Sequence, residues 1–172
     1  MLLKKLDIKG YEKLIEYVQQ VKSGDITNRE GHAAKVYFNL LYGLDFIRGR
    51  SDNTNAALDY GYSILLSILN REVVSKGYIT PIGINHKSEF NQFNLSCDLM
   101  EVFRPLIDEI VYKNREFTFD KNYRYKLINV MNQTVTIERK EQYVLNAIPI
   151  FINSVFNFLE KNKESKIINY EF

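Results

Sequence analysis

Two carboxylates three positions apart, Asp98 and Glu101, are the first residues of this sequence whose types and spacing could do chemistry. On a helix, residues three apart lie on one face with Cβ atoms about 5–6 Å apart, so their charges repel unless a cation lies between them. A divalent metal ion would turn that repulsion into attraction, and so would Arg104, three residues further on. The pattern alone favours the second arrangement, a solvent-exposed polar face, because charged helix faces are common.

Glu30 and His86 are the other candidates. Glu30 shares a helix face with apolar side chains, where an unpartnered carboxylate is costly. Thr27 and Glu30 also have the spacing of a helix capping box, and the local pattern favours that role. His86 is one of two histidines and lies in a loop, where a surface residue is the simpler interpretation. One histidine with two or three carboxylates suits Mg²⁺ or Mn²⁺, and phosphodiester chemistry is the natural use of such a site.

Helices must position these residues. Apolar periodicity predicts a chain that is helical nearly throughout, an all-α fold class. The predicted helices cover residues 5–22, 28–42, 55–75, 95–114 and 141–161. Pro105 is expected to kink the fourth helix, and residues 134–137 are predicted to form a short strand or turn. The polar tail after residue 162 is expected to fray.

A long loop and a basic segment interrupt this pattern. Residues 77–93 contain Pro81, Gly83 and His86, and ordered loops of this length inside compact domains are usually functional. Residues 113–140 carry seven basic side chains against three acidic ones. That segment could contact a DNA backbone, and an ordinary solvated face is an equally good interpretation.

Composition excludes several classes of protein. The chain of 172 residues has the length of one domain, and its apolar fraction of 45% and charged fraction of 26% are ordinary for a soluble globular protein. A single cysteine rules out a disulfide scaffold and suggests a reducing compartment, so we expect a cytoplasmic protein. No apolar run approaches the roughly 18 residues of a membrane helix. The net charge of +2 neither demands nor excludes nucleic acid as a partner.

Three stretches of the sequence carry a specific resemblance. They are residues 28–38, residues 55–66, and the motif 82–86 followed by 93–105. In order and spacing they resemble the CRISPR-associated adaptation integrases, the Cas-one family, and are most similar to the variant found in type II systems. The resemblance is close over residues 5–115 and continues more loosely to the end of the chain.

The resemblance implies a fold and a domain organisation. It identifies the chain as the helical C-terminal catalytic domain of the family, all-α, with the family's N-terminal β-rich domain absent. Residues 1–172 would then form a single helical catalytic domain. Its parts would be a linker helix at 1–22, a metal-site core at 23–115, and a basic segment with the C-terminal helix at 116–172.

The resemblance also implies a metal site and overrides the local interpretations given above. The positions that match the family's ligands are Glu30 in an Asn-Arg-Glu motif, His86 at the end of the loop motif, and Glu101 in an Asp-Leu-Met-Glu motif. These three residues are expected to be catalytic and to bind Mg²⁺ or Mn²⁺. Asp98 matches an acidic residue that supports the site.

The implied activity is the capture of foreign DNA in antiviral defence. Protospacer 3′-hydroxyl ends are joined to the CRISPR repeat by direct transesterification, and water in place of the hydroxyl gives endonuclease activity. The implied partners are DNA, a second copy of the chain in a homodimer, the small protein Cas-two, and other type II adaptation proteins, with no membrane involved. Arg29, Lys87 and Arg104 adjoin the ligands in sequence and are expected to contact DNA phosphates, on charge and adjacency alone.

Two other functions stay open at this point. A non-catalytic helical DNA-binding or assembly module is the main alternative, because the dimerising domain is expected to be absent and the net charge is nearly neutral. If the chain is instead the catalytic domain, the domain in isolation is expected to be weakly active or inactive. A helical RNase of another family is the third, but we find no arginine–histidine motif at the spacing it would need.

Overall fold

The structure, a computed structural model, describes residues 2–20, 28–160 and 165–171 of the chain. The chain forms two compact units, Met1–Asn55 and Ala56–Phe172. Each unit is described by itself below. The predicted single catalytic domain with divisions near residues 22 and 115 stays a prediction.

Two short helices precede a longer one in the first unit. Helix α1 spans Leu2–Lys5, α2 spans Glu12–Gln20 and α3 spans Arg29–Tyr42. The predicted continuous helix over residues 5–22 is wrong, because Asp7 (φ 54°) and Gly10 (φ 89°) adopt positive φ values that no α-helix contains. Helix α3 confirms the second predicted helix, and it ends at Gly43, whose φ of 98° favours glycine.

Two local predictions fall on residues outside the described ranges. The helix break at residues 23–25 lies outside the described residues, and so does Thr27 of the predicted capping box. Asn28 occupies the N-cap position of α3 with a φ of 49°, and its side chain makes no capping hydrogen bond.

Helix α4 spans Asn53–Ser75 and confirms the third predicted helix. Asp52 caps its start, because Oδ1 accepts a hydrogen bond from the backbone N–H of Asn55 at 2.8 Å. From residue 57 onwards α4 buries one apolar face in the second unit. The fully buried residues of this face are Ala57, Leu58, Leu65, Leu69 and Val73.

The predicted helix over residues 95–114 is divided in two. Helix α5 spans Asn94–Met100 and α6 spans Arg104–Asn114. Pro105 lies in the first turn of α6, where its missing N–H costs no helical hydrogen bond, so the proline starts a new helix instead of kinking one. Phe103 lies fully buried between the two helices.

A small antiparallel sheet contradicts the all-α fold class. Strands β1 (Thr134–Ile137), β2 (Lys140–Tyr143) and β3 (Tyr170–Glu171) are arranged in the order β2-β1-β3. The β-branched residues of β1 alternate between buried and exposed, as a half-buried strand requires. Between β1 and β2 a two-residue turn of Glu138 and Arg139 has φ values of 51° and 63°, the geometry that matches the twist of a hairpin.

Two of the remaining helices precede the strands in the sequence, and the third lies between β2 and β3. Helix α7 spans Lys121–Ile128, a short 3-10 helix spans Asn129–Asn132, and α8 spans Val144–Glu160 with Pro149 inside it. Helix α8 begins three residues later than predicted because residues 140–143 belong to β2. Within the described ranges, no helix is both long enough and apolar enough to cross a membrane.

The predicted fraying of the tail is wrong for residues 165–171. The Tyr170 ring stacks on Phe103 with 5.1 Å between centroids, and its hydroxyl donates a hydrogen bond to the carbonyl of Val102 at 2.9 Å. Burial, together with the charges of Asp108 and Glu109, raises the pKa of Tyr170 above its usual range. The tail is therefore packed against the segment that joins α5 to α6.

Gly61 sets how closely α4 approaches α6. A Cβ atom at this position would lie 2.4 Å from Cγ2 of Ile107, whose side chain is fully buried. Real Cβ atoms do not come so close to another carbon, so any larger residue would push the two helices apart. The glycine is needed here for space, not for an unusual backbone conformation.

We therefore expect Gly61→Ala to lower the free energy of unfolding by about 1–3 kcal/mol, because overpacking forces the backbone to shift. Urea denaturation followed by circular dichroism measures the change. Ser67→Ala, on an exposed position of the same helix, is the matched control and should leave stability nearly unchanged. Equal stability of Gly61→Ala and the parent would contradict the close approach.

Candidate active site

The long loop over residues 77–93 is held to α5 by the side chain of Asn94. Asn94, which is buried in the first turn of α5, donates hydrogen bonds from Nδ2 to the carbonyls of Pro81 at 2.9 Å and Ser88 at 2.7 Å. The Thr80 hydroxyl donates to the carbonyl of Gln92 at 2.7 Å. The loop is thus a fixed platform that presents His86.

The carboxylate of Asp98 holds the centre of this loop. It accepts hydrogen bonds from the backbone N–H groups of Ile84 at 2.6 Å, Asn85 at 2.9 Å and His86 at 3.0 Å. The same carboxylate lies 2.6 Å from Nδ1 of the His86 ring. Asp98 is therefore a structural anchor for three loop amides and also the partner of the one candidate catalytic histidine.

This partnership fixes the tautomer of His86. A ring nitrogen that faces a carboxylate carries the proton, so Nδ1 is the donor and Nε2 keeps its lone pair. The His86 side chain is 39% exposed while that of Asp98 is only 8% exposed. Histidines that bind metal ions commonly donate their other nitrogen to a carboxylate in this way, so the ring of His86 fits the role of a metal ligand.

The pKa of Asp98 is lowered by its partners. Burial works in the opposite direction, since it disfavours the charged carboxylate. The hydrogen bonds from the Asn85 amide, the His86 ring, and the amides of His86 and Ile84 outweigh burial and hold the pKa of Asp98 below its usual range. The carboxylate is therefore ionised at neutral pH and attracts positive charge towards His86.

Gly83 makes room for this arrangement. A Cβ atom at residue 83 would lie 2.3 Å from the carbonyl oxygen of His86 and 2.8 Å from Oδ2 of Asp98. Backbone atoms cannot yield by such a distance without moving the loop. The Gly83 position in the loop motif thus has a steric reason.

Glu101 has a different partner from Asp98. Its Oε1 lies 2.6 Å from Nη1 of Arg104, and both side chains are partly exposed. The guanidinium of Arg104 lies over the ring of Tyr62, 4.4 Å from the centroid, and the Tyr62 hydroxyl donates a hydrogen bond to the buried carboxylate of Asp108. The expected repulsion between the carboxylates of Asp98 and Glu101 is relieved because each binds its own donors.

The neighbouring groups of Arg104 keep its guanidinium in the charged form. Burial disfavours the charge, but the hydrogen bond and charge of Glu101, with contributions from Tyr62 and Asp108, outweigh it and raise the pKa of Arg104 above its usual range. Tyr62 and Asp108 were not among the site residues predicted from the sequence. Their signal was present, since Asp108 stands four residues after Arg104 among residues that a buried apolar helix face would use.

The other predicted site residues are Glu30, Arg29 and Lys87, and each is described within its own unit. In the first unit, Glu30 is exposed in the first turn of α3, and the guanidinium of Arg29 lies 5.9 Å from the ring centroid of Tyr17. Lys87 is exposed beside His86. In neither unit do the described residues bring together three or more His, Cys, Asp or Glu side chains that could hold a metal ion. The site of Glu30, His86 and Glu101 therefore stays a prediction.

Comparison with known proteins identifies the class to which this loop and its helices belong, the CRISPR-associated proteins. The family described as "CRISPR associated protein Cas1" matches residues 5–131. The match covers more than half of the chain, so the chain belongs to the Cas1 family. The resemblance found in the sequence is confirmed.

Curated relatives show the same similarity. A "CRISPR-associated endonuclease Cas1" of Neisseria meningitidis serogroup C (strain 8013) is 34% identical over 148 residues, which are 83% of this chain and 49% of the relative. A "CRISPR-associated endonuclease Cas1 1" of Francisella tularensis subsp. novicida (strain U112) is 29% identical over 79% of this chain and 48% of its own length. The chain thus spans about half the length of the curated relatives it matches.

A solved structure described as "Casposase bound to integration product" has a similar fold. It superimposes with a TM-score of 0.73 and 23% sequence identity, covering 95% of this chain and 59% of the other. The description of the chain as a C-terminal domain alone is wrong, because the family match includes the beginning of the chain from residue 5. The all-α fold class in that description is also wrong, because the chain contains the three-stranded sheet described above.

We expect Asp98→Asn to lower the free energy of unfolding at pH 7 by about 1–3 kcal/mol, because it weakens four hydrogen bonds that a charged carboxylate accepts. Since the pKa of Asp98 is lowered in the folded state, the stabilisation is complete above the ordinary value of about 4 and is lost as the pH falls through the lower folded value.

Urea denaturation from pH 7 down to about pH 2.5 tests this expectation. The stability difference between the parent and Asp98→Asn should shrink as the solution becomes more acidic. Glu89→Gln, an exposed carboxylate in the same loop, is the control and should show no such convergence. A difference that stays constant over this range would contradict the role given to the Asp98 charge.

Proposed function

We propose that this chain forms part of a CRISPR adaptation integrase and endonuclease that acts on DNA with the help of a divalent metal ion. The observation that carries the proposal is the His86–Asp98 pair, in which a buried carboxylate fixes the ring so that Nε2 is free to bind a metal. The pair lies inside the stretch that matches the Cas1 family. Curated relatives named as Cas1 endonucleases and a casposase bound to an integration product support the same class of reaction.

The proposed metal ligands are Glu30, His86 and Glu101, and the proposed ion is Mg²⁺ or Mn²⁺. A neutral imidazole with two carboxylates is a donor set that both ions accept. Bound there, the ion would supply Lewis-acid chemistry, which favours ionisation of the attacking oxygen and offsets charge on the phosphoryl group. Asp98 would hold the proton on Nδ1 throughout and keep the ring of His86 in position.

The proposed reaction is a direct transesterification. The 3′-oxygen of a protospacer end attacks a phosphorus of the CRISPR repeat, a new phosphorus–oxygen bond forms, and the bond to the repeat's own 3′-oxygen breaks. That oxygen leaves and takes up a proton, so one phosphodiester replaces another and no oxidant or reductant is consumed. Water as the attacking group turns the same step into strand cleavage.

Basic side chains near the proposed ligands would bind the DNA backbone. Arg29 and Lys87 adjoin Glu30 and His86 in sequence, and Arg104 contacts Glu101 directly. Phosphate contacts of this kind orient a substrate and carry no sequence information. We propose DNA, a second copy of the chain in a homodimer, and the small protein Cas-two as partners of the complete assembly, with other type II adaptation proteins as further candidates.

Calorimetric titration of Mn²⁺ into the purified chain tests the metal site. The parent should bind, and His86→Ala, Glu101→Ala and Glu30→Ala should each lose measurable binding because a ligand is removed. Asp98→Asn should weaken binding by about 10- to 100-fold, as expected when the partner of a metal-binding histidine is changed. Glu89→Gln is the matched control and should bind as the parent does.

Strand transfer and cleavage of branched DNA in Mn²⁺ should follow the same order across these variants. Binding of DNA that is unaffected by EDTA, with no joining or cleavage and no Mn²⁺ binding, would contradict the catalytic proposal. The chain would then be the non-catalytic DNA-binding or assembly module considered from the sequence.

Lys87 provides a test of the DNA contact that does not need catalysis. Replacing one lysine that binds a phosphate should lower the slope of log affinity against log salt concentration by about 1. We expect this decrease for Lys87→Ala, measured by fluorescence anisotropy on labelled duplex DNA at several salt concentrations. Lys76→Ala is the control, because Lys76 is already paired with Glu72 at 2.8 Å. An unchanged slope for Lys87→Ala would remove this residue from the DNA interface.

A further inference from the structure

The ion pair of Glu101 and Arg104 places a positive charge where the proposed function requires a metal ion. Nη1 of Arg104 lies 2.6 Å from Oε1 of Glu101, the distance of a strong charge-assisted hydrogen bond. A carboxylate oxygen that binds a guanidinium this closely is not fully available to a second cation. The two cations therefore compete for one ligand.

Arg104 is also held from its other side. Its guanidinium lies 4.4 Å from the ring centroid of Tyr62, within the range of a cation–π contact. The Tyr62 hydroxyl donates to Asp108, a carboxylate that is only 2% exposed, and this bond fixes the ring. If Arg104 lost Glu101, the ring of Tyr62 and the negative charge of Asp108 would still keep the guanidinium beside the site.

One nitrogen of Arg104 is poorly satisfied in the present arrangement. Its Nε is buried and has no hydrogen-bond partner among the described residues. A buried donor without a partner is costly, so the conformation seen here is held mainly through Nη1 and the ring contact. The side chain can therefore move off Glu101 without losing a fully satisfied hydrogen-bond network.

We propose that Arg104 is an exchangeable counter-ion for Glu101: it neutralises the carboxylate while no metal ion is bound, gives it up to a divalent cation, and stays on Tyr62 to bind a DNA phosphate. Tyr62 and Asp108 are the positioning residues of this exchange. The inference rests on the proposed function, because Glu101 must be a metal ligand for the exchange to occur. It adds an order of events, in which metal binding frees a cation for the DNA backbone.

The opposite role for Arg104 makes the opposite prediction. If Arg104 only positioned Glu101 for the metal, removing its charge would weaken metal binding. If Arg104 competes with the metal, removing its charge strengthens metal binding. The sign of one measured change therefore separates the two roles.

The experiment is a calorimetric titration of Mn²⁺ into the parent chain, Arg104→Gln and Arg104→Lys. We expect Arg104→Gln to bind Mn²⁺ about two- to fivefold more tightly, the range expected for loss of a partly exposed ion pair. Arg104→Lys keeps the charge and should return the affinity towards that of the parent. Tyr62→Phe keeps the ring but removes its hydrogen bond to Asp108, and should change Mn²⁺ affinity less than Arg104→Gln does.

A second measurement needs no variant and cannot be lost to misfolding. The buried Nε–H of Arg104 is sheltered from solvent exchange, so its NMR signal can be followed in the parent chain during a titration with diamagnetic Mg²⁺. We expect the signal to shift in step with Mg²⁺ binding. A signal that stays in place at saturating Mg²⁺, or an affinity of Arg104→Gln equal to or weaker than that of the parent, would overturn the exchange.

The same titrations separate this inference from the proposed function. Loss of Mn²⁺ binding in His86→Ala with no gain in Arg104→Gln would leave the metal site standing and overturn the exchange alone. A parent chain that binds neither Mn²⁺ nor Mg²⁺ would overturn both.

Discussion

The carboxylate of Asp98 is the interaction on which the candidate site depends. Three consecutive loop amides and the ring of His86 all donate to this one group, so Asp98 holds the middle of the loop. A loop of this length would otherwise lose much of its rigidity, because its backbone donors would turn to water. Gly83 and Asn94 make the same geometry possible: Gly83 leaves space, and Asn94 holds the loop at the carbonyls of Pro81 and Ser88.

Two carboxylates that look equivalent in the sequence thus have separate functions. Asp98 faces inward and accepts hydrogen bonds from the loop backbone, whereas Glu101 is partly exposed and forms an ion pair with Arg104. Helical spacing predicted that the two carboxylates share a polar stripe. It could not predict which of them accepts the hydrogen bonds of the loop amides. The difference arises from tertiary contacts, because only folding brings the amides of residues 84–86 to Asp98.

Local patterns predicted the elements that depend on local causes and missed those that depend on distant ones. Helices α3 and α4 were predicted because apolar spacing, Asp52 and Gly43 are local signals. The sheet was missed although residues 134–137 were recognised as a strand or turn. Residues 141–143 of the neighbouring strand β2 had been assigned to the last helix, and the other partner strand, β3, lies far along the sequence. The Tyr62–Asp108 contact was missed for the same reason. Whether Glu30, His86 and Glu101 meet is not a question that spacing can answer.

The contact between Tyr170 and the α5–α6 segment has a consequence for how the chain is made. The hydroxyl of Tyr170 binds the carbonyl of Val102, 68 positions earlier, and its ring covers Phe103. Contacts between residues so far apart close late, because the intervening loop must lose its entropy first. During synthesis, the turn between Glu101 and Arg104 therefore reaches its final packing only after residue 170 has left the ribosome. Nascent chains halted before that point would contain Glu101 and Arg104 but would lack the contacts of Tyr170 with Val102 and Phe103.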